Sequence, residues 1–351
     1  MALQTRAGVE RGFLIGGRPI GSGVPVFIIA EACDNHFGDL EVAKEMVRQA
    51  KQAGADAIKF QHHLPDEEML PDVPSSDNFT EPLYEFLKKH ALRLKDHAAL
   101  MAHCKSAGIL YMCTPFSYRA AQELQELGVH SFKIGSGEMT DVPSLLRIAD
   151  FGKPMLLSTG MSTFEEIDET YQALKQRGAV FGLMNCVSEY PPRYEDLNLG
   201  VIPLMQQRYP DIIIGHSDHT PDLYTSFAAV ALGACIVEKH IVLDKAHPGP
   251  DQAVSIDMDA LRELVEGIRK IEQAMGSQKR VHELEQPIRA WAFRSVVSIR
   301  SIAAGQVVTE DAVWTKRPGT GIPSKHLPEV IGRRAKRDIP TNRMLSWDDL
   351  E

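Results

Sequence analysis

Short apolar segments alternate with amphipathic segments along most of the chain. The segment VFIIAE, from Val26 to Glu31, is followed by LEVAKEMVRQAKQAG, whose apolar residues recur at helical spacing and which ends at Gly54. A glycine at that position is typical of a helix end. Later apolar segments are ADAIKFQ, ILYMCT, SFKIG, PMLLST, VFGLMNC, DIIIGHS and ACIVEKHIVL, and helical patterns separate most of them. The pattern predicts about eight consecutive strand–helix units.

Strands that are apolar along most of their length belong in a parallel sheet covered by helices. Eight strand–helix units in about 250 residues fit a closed (β/α)8 TIM barrel better than an open sheet. We therefore predict an α/β fold, with the barrel over residues 26–280 and an N-terminal extension over residues 1–25.

Nearly every predicted strand has, at its C-terminal side, polar groups that are able to do chemistry. In a TIM barrel these strand ends converge on one face, where barrel active sites are built. A shared site explains so many polar strand ends better than solubility does. The residues are Glu31, Lys59, Gln61, Thr114, Lys133, Ser136, Glu138, Ser158, Thr159, Ser188, Glu189, Tyr190, His216, Ser217, Asp218, His219, Glu238, Lys239 and His240.

The last part of the chain has a different pattern. The polar stretch SQKRVHELEQP follows Gly276 and indicates a linker, which we place at residues 281–293. Over residues 294–351 a weak repeat aligns the segment starting at Arg300 with the segment starting at Arg337, at one constant offset. Each copy predicts a strand, a turn, a short strand and a short acidic helix. The simplest explanation is a small, duplicated, β-rich domain.

Composition and charge exclude several classes of protein. The 351 residues include 38 Lys and Arg against 47 Asp and Glu, and the net charge of −9 argues against a nucleic-acid partner. No apolar run is long enough for a membrane span, and the first residues do not have the pattern of a secretory signal. The five scattered cysteines lie mostly beside apolar runs and form no CxxC pair, which favours a reduced, cytoplasmic protein.

Two histidines are candidate metal ligands. His219 and His240 follow neighbouring strands, and their imidazole nitrogens, with Glu31 nearby, would suit Mn²⁺, Fe²⁺ or Zn²⁺. The alternative is a pocket lined by hydrogen-bonded histidines without a metal.

Three lysines, Lys59, Lys133 and Lys239, lie inside apolar strands, where a buried ammonium needs an anionic partner. They indicate a phosphate or carboxylate ligand. Neutral donors for the same ligand would come from the hydroxyls of Thr114, Ser136, Ser158 and Ser217. A Schiff-base lysine is the competing interpretation. In the tail, the glycine-rich segment KRPGTG could lend Arg317 to an anionic or polar ligand.

Long segments from about Val26 to the C-terminus resemble, in order, those of one family. They include FIIAEACDNHFGDLEVAKEMVRQAKQAGADAIKFQ, CTPFS, FKIGSGEMTDVPSL, LLSTGMST, NCVSEYPPRYEDLNLG, GHSDHT and ALGACIVEKHIVLDKAHPGPDQAVS. The chain is similar to the sialic acid synthase family, the phosphoenolpyruvate-dependent synthases of nine-carbon 2-keto sugar acids. The tail, with KRPGTGI and VIGRRAKRDI, resembles the antifreeze-like (SAF, β-clip) domain of that family.

The resemblance implies an activity. Phosphoenolpyruvate would condense with an open-chain N-acyl amino sugar, N-acetylmannosamine in the first place, and with water, to give N-acetylneuraminate and phosphate. A divalent metal, Mn²⁺ or Mg²⁺, would be held by His219 and His240. The catalytic residues would be these two histidines with Glu31 and Glu138.

The resemblance also implies which residues bind the substrates. Phosphoenolpyruvate would be bound by Lys59, Thr114, Lys133, Ser136, Ser158, Ser188 and Ser217. The sugar would be bound by Glu31, Asn78, Glu138, Tyr190, Asp251 and Arg317. Arg317 would come from the partner subunit of a domain-swapped homodimer. The chain departs from the family in the loop usually similar to VNHNG, which is DNHFG here, with Phe37 in place of a polar residue.

Three alternatives stay open. The first is the same chemistry on a 2,4-diacetamido-trideoxy hexose, as in legionaminic or pseudaminic acid synthases. The second is a class I aldolase that uses Lys133 or Lys59 as a Schiff base. The third is a non-enzymatic carbohydrate-binding or ice-binding protein built around the tail, which would not need a barrel face rich in polar strand ends.

Overall fold

The computed structural model describes residues 11–74 and 81–351, so Asn78 lies outside the described residues. The chain divides into two units, the first ending at Met275 and the second running from Gly276 to Glu351. Within the described residues, no helix combines the length and the apolar character that a membrane span requires.

The first unit opens with an antiparallel hairpin, β1 (Gly12–Ile15) and β2 (Arg18–Gly21). Eight strands follow: β3 (Phe27–Glu31), β4 (Ala57–His62), β5 (Leu110–Pro115), β6 (Phe132–Ile134), β7 (Met155–Ser158), β8 (Phe181–Cys186), β9 (Ile213–Asp218) and β10 (Ile236–His240). They pair in parallel in the order β5-β4-β3-β10-β9-β8-β7-β6, and the two end strands of this order contact each other. This nearly closed sheet confirms the predicted TIM barrel.

Helices cover the outside of the sheet. They are α1 (Leu40–Ala53), α4 (Leu94–Ala107), α5 (Tyr118–Leu127), α6 (Val142–Ala149), α7 (Phe164–Gln176), α8 (Val201–Arg208), α9 (Tyr224–Ala231) and α10 (Met258–Ala274). Two further helices, α2 (Pro65–Glu68) and α3 (Leu83–His90), belong to the long connection between β4 and α4. The predicted end of α1 is confirmed, because Gly54 follows it in the left-handed conformation, with φ of 94°. At the start of α1, the Asp39 carboxylate accepts hydrogen bonds from two backbone N–H groups.

The inside of the barrel is apolar at one end and polar at the other. The apolar end is formed by Phe27, Ile29, Ala57, Met112, Leu156, Met184, Ile213 and Ile236. Because side chains alternate along a strand, the residue two positions later points into the barrel again. Five of these eight later positions are polar, namely Glu31, Lys59, Thr114, Ser158 and Glu238. The strands therefore place a polar layer directly above an apolar base.

The hairpin explains part of the N-terminal extension. Phe13, Ile15 and Ile20 are buried and join the apolar cluster at the barrel base. The sharp turn between the two strands uses Gly16 and Gly17, both with positive φ. The hairpin thus closes the end of the barrel at which the strands begin.

The second unit begins with a helix inside the predicted linker. This helix, α11 (Glu285–Ala292), has no buried residue. It is followed by β11 (Ser295–Ser298), β12 (Val313–Lys316) and a short helix, α12 (Leu327–Val330), around a small core of their own. Polarity alone indicates exposure and does not separate a helix from a flexible segment, so the linker prediction did not contain α11.

The predicted internal repeat is confirmed by the hydrogen bonds of the second unit. Ile302 and Ile339, which are equivalent in the two copies, exchange both backbone hydrogen bonds, at 2.9 and 2.8 Å. The turn residues Gly305 and Asn342 are also equivalent, and both have positive φ. Each copy ends in a 3₁₀ turn, at Glu310–Ala312 and Trp347–Asp349. The two copies are therefore related by a pseudo-twofold axis that passes between Ile302 and Ile339.

Candidate active site

A cavity of about 540 Å³ opens at the carboxyl ends of the barrel strands. The predicted site residues in its lining are Glu31, Lys59, Thr114, Lys133, Ser136, Glu138, Ser158, Ser188, Tyr190, Ser217, His219, His240 and Asp251. The structure brings them together because each one belongs to a strand end or to the loop that follows it. The roles assigned to the individual side chains stay predictions.

Two predicted residues have another place in the structure or in the chain. Arg317 belongs to the second unit, where its guanidinium lies 5.1 Å from the centre of the Trp291 ring and its Nε donates to the carbonyl of Ala292. Asn78 lies outside the described residues.

The interpretation of Lys239 as a third ligand of the anion is wrong. Its ammonium lies 3.2 Å from the Asp218 carboxylate and donates to the Thr220 hydroxyl, and Lys239 is absent from the cavity lining. Because neighbours on a strand point to opposite faces, Glu238 and His240 point into the barrel while Lys239 points outward. Its anionic partner is a buried structural carboxylate.

Two lysines and two carboxylates form a buried network at the base of the cavity. The Lys59 ammonium lies 2.9 Å from a Glu31 oxygen, donates to the Thr114 hydroxyl at 2.9 Å, and lies 3.7 Å from Glu238. The Lys133 ammonium lies 3.2 Å from the other oxygen of Glu238. Glu238 therefore lies between two cations, which come from β4 and β6, the strands on either side of β5.

The opposite charges in this network stabilise each other's ionised forms. Burial alone would lower the pKa of Lys59, but Glu238 and Glu31 outweigh burial and raise it. Burial alone would raise the pKa of Glu238, but Lys133 and Lys59 outweigh burial and lower it. Lys59 is thus kept as an ammonium, which suits an anion ligand and disfavours Lys59 as a Schiff-base nucleophile.

Glu238 had no assigned role in the sequence analysis, although the signal was present. It precedes His240 by two residues on β10, so both side chains face the interior. Its carboxylate also accepts a hydrogen bond of 2.9 Å from the Ser217 hydroxyl. The strand period therefore predicts Glu238 in the site as well as it predicts His240.

The upper rim contains a second polar network. The imidazole of His63 stacks on Phe116, with ring centres 4.2 Å apart, and lies 2.9 Å from a Glu68 oxygen. Its other nitrogen lies 3.0 Å from the Gln61 side-chain carbonyl, and the Gln61 amide donates to Glu31 at 2.9 Å. The rim is thus connected through Gln61 to the lysine network below.

Unlike Glu31 and Glu238, Glu138 forms no ion pair among the described residues. Its Oε2 is buried and has no hydrogen-bond partner among the described residues. Burial raises the pKa of Glu138 from 4.5 to about 7, although Lys133 opposes this. A carboxyl group with this pKa can accept and return a proton near neutral pH.

The two predicted metal ligands lie side by side. The rings of His219 and His240 have centres 5.1 Å apart. The Nδ1 of His219 lies 2.7 Å from the carbonyl of Val187, which leaves Nε2 turned towards the Tyr190 hydroxyl at 3.3 Å. The Nδ1 of His240 is buried without a hydrogen-bond partner among the described residues.

A set of three potential ligand atoms fits a divalent metal ion. One atom each of Cys33, His240 and Asp251 lie within 4.8 Å of one another. Imidazole, thiolate and carboxylate are the common protein ligands of divalent transition metals. The residues present therefore suit a divalent transition-metal ion, and Cys33 is an addition that the sequence analysis did not propose as a ligand.

Comparisons with known proteins agree with this site and this fold. The NeuB family model matches residues 46–280, and the SAF domain model matches residues 293–351. The chain is 36% identical to the N,N'-diacetyllegionaminic acid synthase of Legionella pneumophila, over 96% of this chain and 98% of that protein. It is 37% identical to human N-acetylneuraminate-9-phosphate synthase, over 90% of this chain and 89% of that protein.

Comparison with solved structures agrees with the sequence comparisons. The crystal structure of N-acetylneuraminic acid synthetase from Leptospira borgpetersenii superposes with a TM-score of 0.72 at 33% identity, over 80% of this chain and 96% of that chain. The chain therefore belongs to the NeuB family, as its resemblance to sialic acid synthases predicts, and is an enzyme, a phosphoenolpyruvate-dependent sugar-acid synthase with a C-terminal SAF domain.

Proposed function

We propose that this enzyme condenses phosphoenolpyruvate with an open-chain N-acyl amino sugar and water, in a reaction that needs a divalent metal ion. The observation that carries the proposal is the pair of buried ammonium groups, Lys59 and Lys133, at the base of a cavity lined by hydroxyls. Such a base suits a small ligand that has both a phosphate and a carboxylate.

The sugar is N-acetylmannosamine in this proposal, and the product is N-acetylneuraminate. The second candidate is a 2,4-diacetamido-trideoxy hexose, which would give legionaminic acid. The Legionella relative supports the second candidate, because it matches 96% of this chain. Pocket shape decides between the two sugars.

The site residues have distinct roles in the proposed reaction. Lys59 and Lys133, with the hydroxyls of Thr114 and Ser158, bind the anionic groups and orient the methylene carbon of phosphoenolpyruvate towards the sugar. A metal bound near His219 would supply Lewis-acid polarisation of the sugar aldehyde.

Carbon–carbon bond formation and water addition complete the reaction. The methylene carbon attacks the aldehyde carbon, and positive charge develops at C2 of phosphoenolpyruvate. Glu138 takes one proton from the water that adds to C2. Glu138 returns this proton to the alkoxide formed from the aldehyde oxygen, which becomes a hydroxyl group of the product. The tetrahedral carbon then loses phosphate by cleavage of its C–O bond, and the proton of its hydroxyl group leaves with the phosphate, which gives the 2-keto acid. The two ammonium groups stabilise the leaving phosphate throughout.

The proposal includes a cytoplasmic, domain-swapped homodimer in which Arg317 binds the sugar of the partner's site. Apolar side chains on or beside α11 support an interface, because Leu284, Ile288 and Trp291 are exposed in the single chain. Arg317 is held beside Trp291, so the same segment would present both to a partner.

Phosphate release from phosphoenolpyruvate tests the proposal. The protein is assayed with Mn²⁺ and with N-acetylmannosamine, its 6-phosphate or either diacetamido-trideoxy hexose. We expect release only when metal and one of the sugars are both present. No release with any sugar from folded protein contradicts the proposal. Trapping of a pyruvate adduct on Lys133 by borohydride would instead establish the aldolase.

A further inference from the structure

Three side chains from two neighbouring strands and one loop meet at the rim of the barrel. Cys33 follows β3 by two residues, His240 ends β10, and these strands are paired, with His240 opposite Glu31. Asp251 comes from the loop after β10. The Cys33 sulfur lies 2.6 Å from an Asp251 oxygen, and both lie within 4.8 Å of a His240 nitrogen.

The environment of the three side chains indicates that the imidazole of His240 lacks a binding partner. Cys33 and His240 are nearly inaccessible, with 1% and 5% of their surface exposed. The buried Nδ1 of His240 has no hydrogen-bond partner among the described residues. A buried, unpaired imidazole nitrogen is unfavourable unless a proton donor or a cation completes its environment.

The backbone at Cys33 gives an independent indication. Its φ is 45°, in the left-handed region that glycine occupies easily and cysteine does not. A thiol held in an unfavourable backbone conformation beside an imidazole and a carboxylate is typical of a functional position.

The chemistry of the three groups selects a class of ion. When the thiol proton leaves, Cys33 and Asp251 supply two negative charges, which balance one divalent cation. Thiolate and imidazole favour zinc, iron(II) and cobalt(II), whereas magnesium favours sites made of oxygen atoms alone.

We propose that Cys33 and Asp251 are ligands of the active-site metal ion together with His240, and that Cys33 directs the site towards zinc, iron(II) or cobalt(II). The inference deepens the proposed function, on which it rests, and it changes the role of Asp251 from sugar binding to metal binding. His219 keeps its predicted role as the neighbouring ligand. Binding of the ion releases the Cys33 proton to solvent, and no oxidation or reduction takes place.

Cobalt(II) binding tests the proposal without any substrate. The full-length protein is stripped of metal by a chelator under anaerobic conditions and titrated with cobalt(II) alone. We expect a near-ultraviolet thiolate-to-cobalt charge-transfer band that saturates at one ion per chain. We expect Cys33→Ser to lose this band and to bind cobalt(II) roughly tenfold or more weakly, with magnesium binding unchanged.

Cys186→Ser is the matched control, because the Cys186 sulfur lies 3.9 Å from His219 and Cys186 is a thiol in the lining of the cavity. This variant should keep the band. Cys33→Gly is the second variant at the test position, because glycine suits the positive φ there and this variant should fold at least as stably as the wild type. Asp251→Asn should keep the band and weaken cobalt(II) binding.

The outcomes separate this inference from the proposed function. Absence of the band in the wild type, its persistence in Cys33→Gly, or its loss in Cys186→Ser overturns the ligand assignment, whatever phosphate release shows. A band that depends on Cys33, in a protein that releases no phosphate with any of the sugars, supports the ligand assignment and contradicts the proposed reaction.

Discussion

At the scale of single residues, the carboxylates of the cavity are distinguished by what lies next to them. Glu238 is paired with two ammonium groups, which keep it ionised. Glu138 has a buried oxygen without a hydrogen-bond partner among the described residues, and burial raises its pKa to about 7. One carboxylate is therefore a fixed charge and the other can exchange a proton.

The pH dependence of the reaction tests the role of Glu138 as the base. Because the base must be ionised, kcat/KM of the wild type should rise with pH and level off above about pH 7. The kcat of Glu138→Gln should be about 100-fold lower than that of the wild type, and its kcat/KM should not rise with pH in this range. Steady-state assays from pH 5 to about pH 9 measure both effects.

The control is Glu165→Gln, which changes an exposed carboxylate in the first turn of α7. It should leave the pH profile unchanged. If kcat/KM of Glu138→Gln rises at the same pH as that of the wild type, the titration belongs to another group.

Stability should depend on the same carboxyl group. The folded pKa of Glu138, about 7, lies above the ordinary value of 4.5, so the folded state binds more protons between these pH values. The contribution of Glu138 to the unfolding free energy of the wild type therefore decreases as pH rises across this window. The unfolding free energy of Glu138→Gln minus that of the wild type should therefore increase by up to about 3 kcal/mol between pH 4 and about pH 8.

Urea unfolding at a series of pH values measures this difference. A difference between Glu138→Gln and the wild type that does not change with pH would show that Glu138 is ordinarily solvated in the folded enzyme.

The sequence predicts most of the site residues, because alternation along a strand and the position of strand ends are both visible in it. The same alternation predicts Glu238 inside and Lys239 outside, once it is applied to the whole segment EKH. Cys33 is harder to predict, because its function depends on meeting Asp251, which is 218 residues away in the chain. Local pattern carries no information on such a contact.

At the scale of elements, the N-terminal hairpin is part of the barrel fold. Ile15 and Ile20 have no exposed surface and pack against the apolar base of the barrel. The paired glycines Gly16 and Gly17 are a sequence signal for a two-residue hairpin turn. The hairpin itself can therefore be predicted from the sequence. The surface that it packs against cannot, because that surface forms only when the barrel closes.

Shortening a side chain of the hairpin tests this packing. Ile20→Ala should lower the unfolding free energy by about 2–5 kcal/mol, because it removes buried methyl groups and leaves a cavity. Leu14→Ala, in the other strand of the hairpin, should change it by less than about 0.5 kcal/mol, because Leu14 is 39% exposed. Urea denaturation measures both values. Equal effects of the two substitutions would contradict the packing of the hairpin against the base.

At the scale of the whole molecule, the proposed domain swap makes a quantitative prediction. If Arg317 acts in the partner's site, a mixed dimer of His240→Ala and Arg317→Ala chains contains one site with both wild-type residues. Each variant alone should be nearly inactive. An equal mixture, refolded together, should recover about a quarter of wild-type activity, because half of the dimers are mixed and each has one working site.

Phosphate release after refolding of the mixture measures this recovery. The control is the same mixture without joint refolding, which should stay inactive while subunits do not exchange. If jointly refolded mixtures stay inactive although both variants form dimers, Arg317 acts within its own chain.

The two units differ in how far their organisation follows from the sequence. The barrel is predicted by eight repeated strand–helix units, and the second unit by a repeat whose copies are 37 residues apart, as Ile302 and Ile339 are. Helix α11 was not predicted, because the polar stretch in which it begins indicates exposure, which a helix and a flexible linker share.

The closed base of the barrel has a consequence for the kinetic order of the reaction. The hairpin and the apolar layer fill one end, so both substrates enter through the same mouth. Lys59 lies deep, with 3% of its surface exposed, while Tyr190 at the mouth is 41% exposed. If Lys59 binds phosphoenolpyruvate, as proposed above, phosphoenolpyruvate must bind before the sugar. Sugar that enters first blocks the way, so excess sugar should inhibit the enzyme competitively with phosphoenolpyruvate, as initial-rate measurements at varied concentrations of both substrates would show.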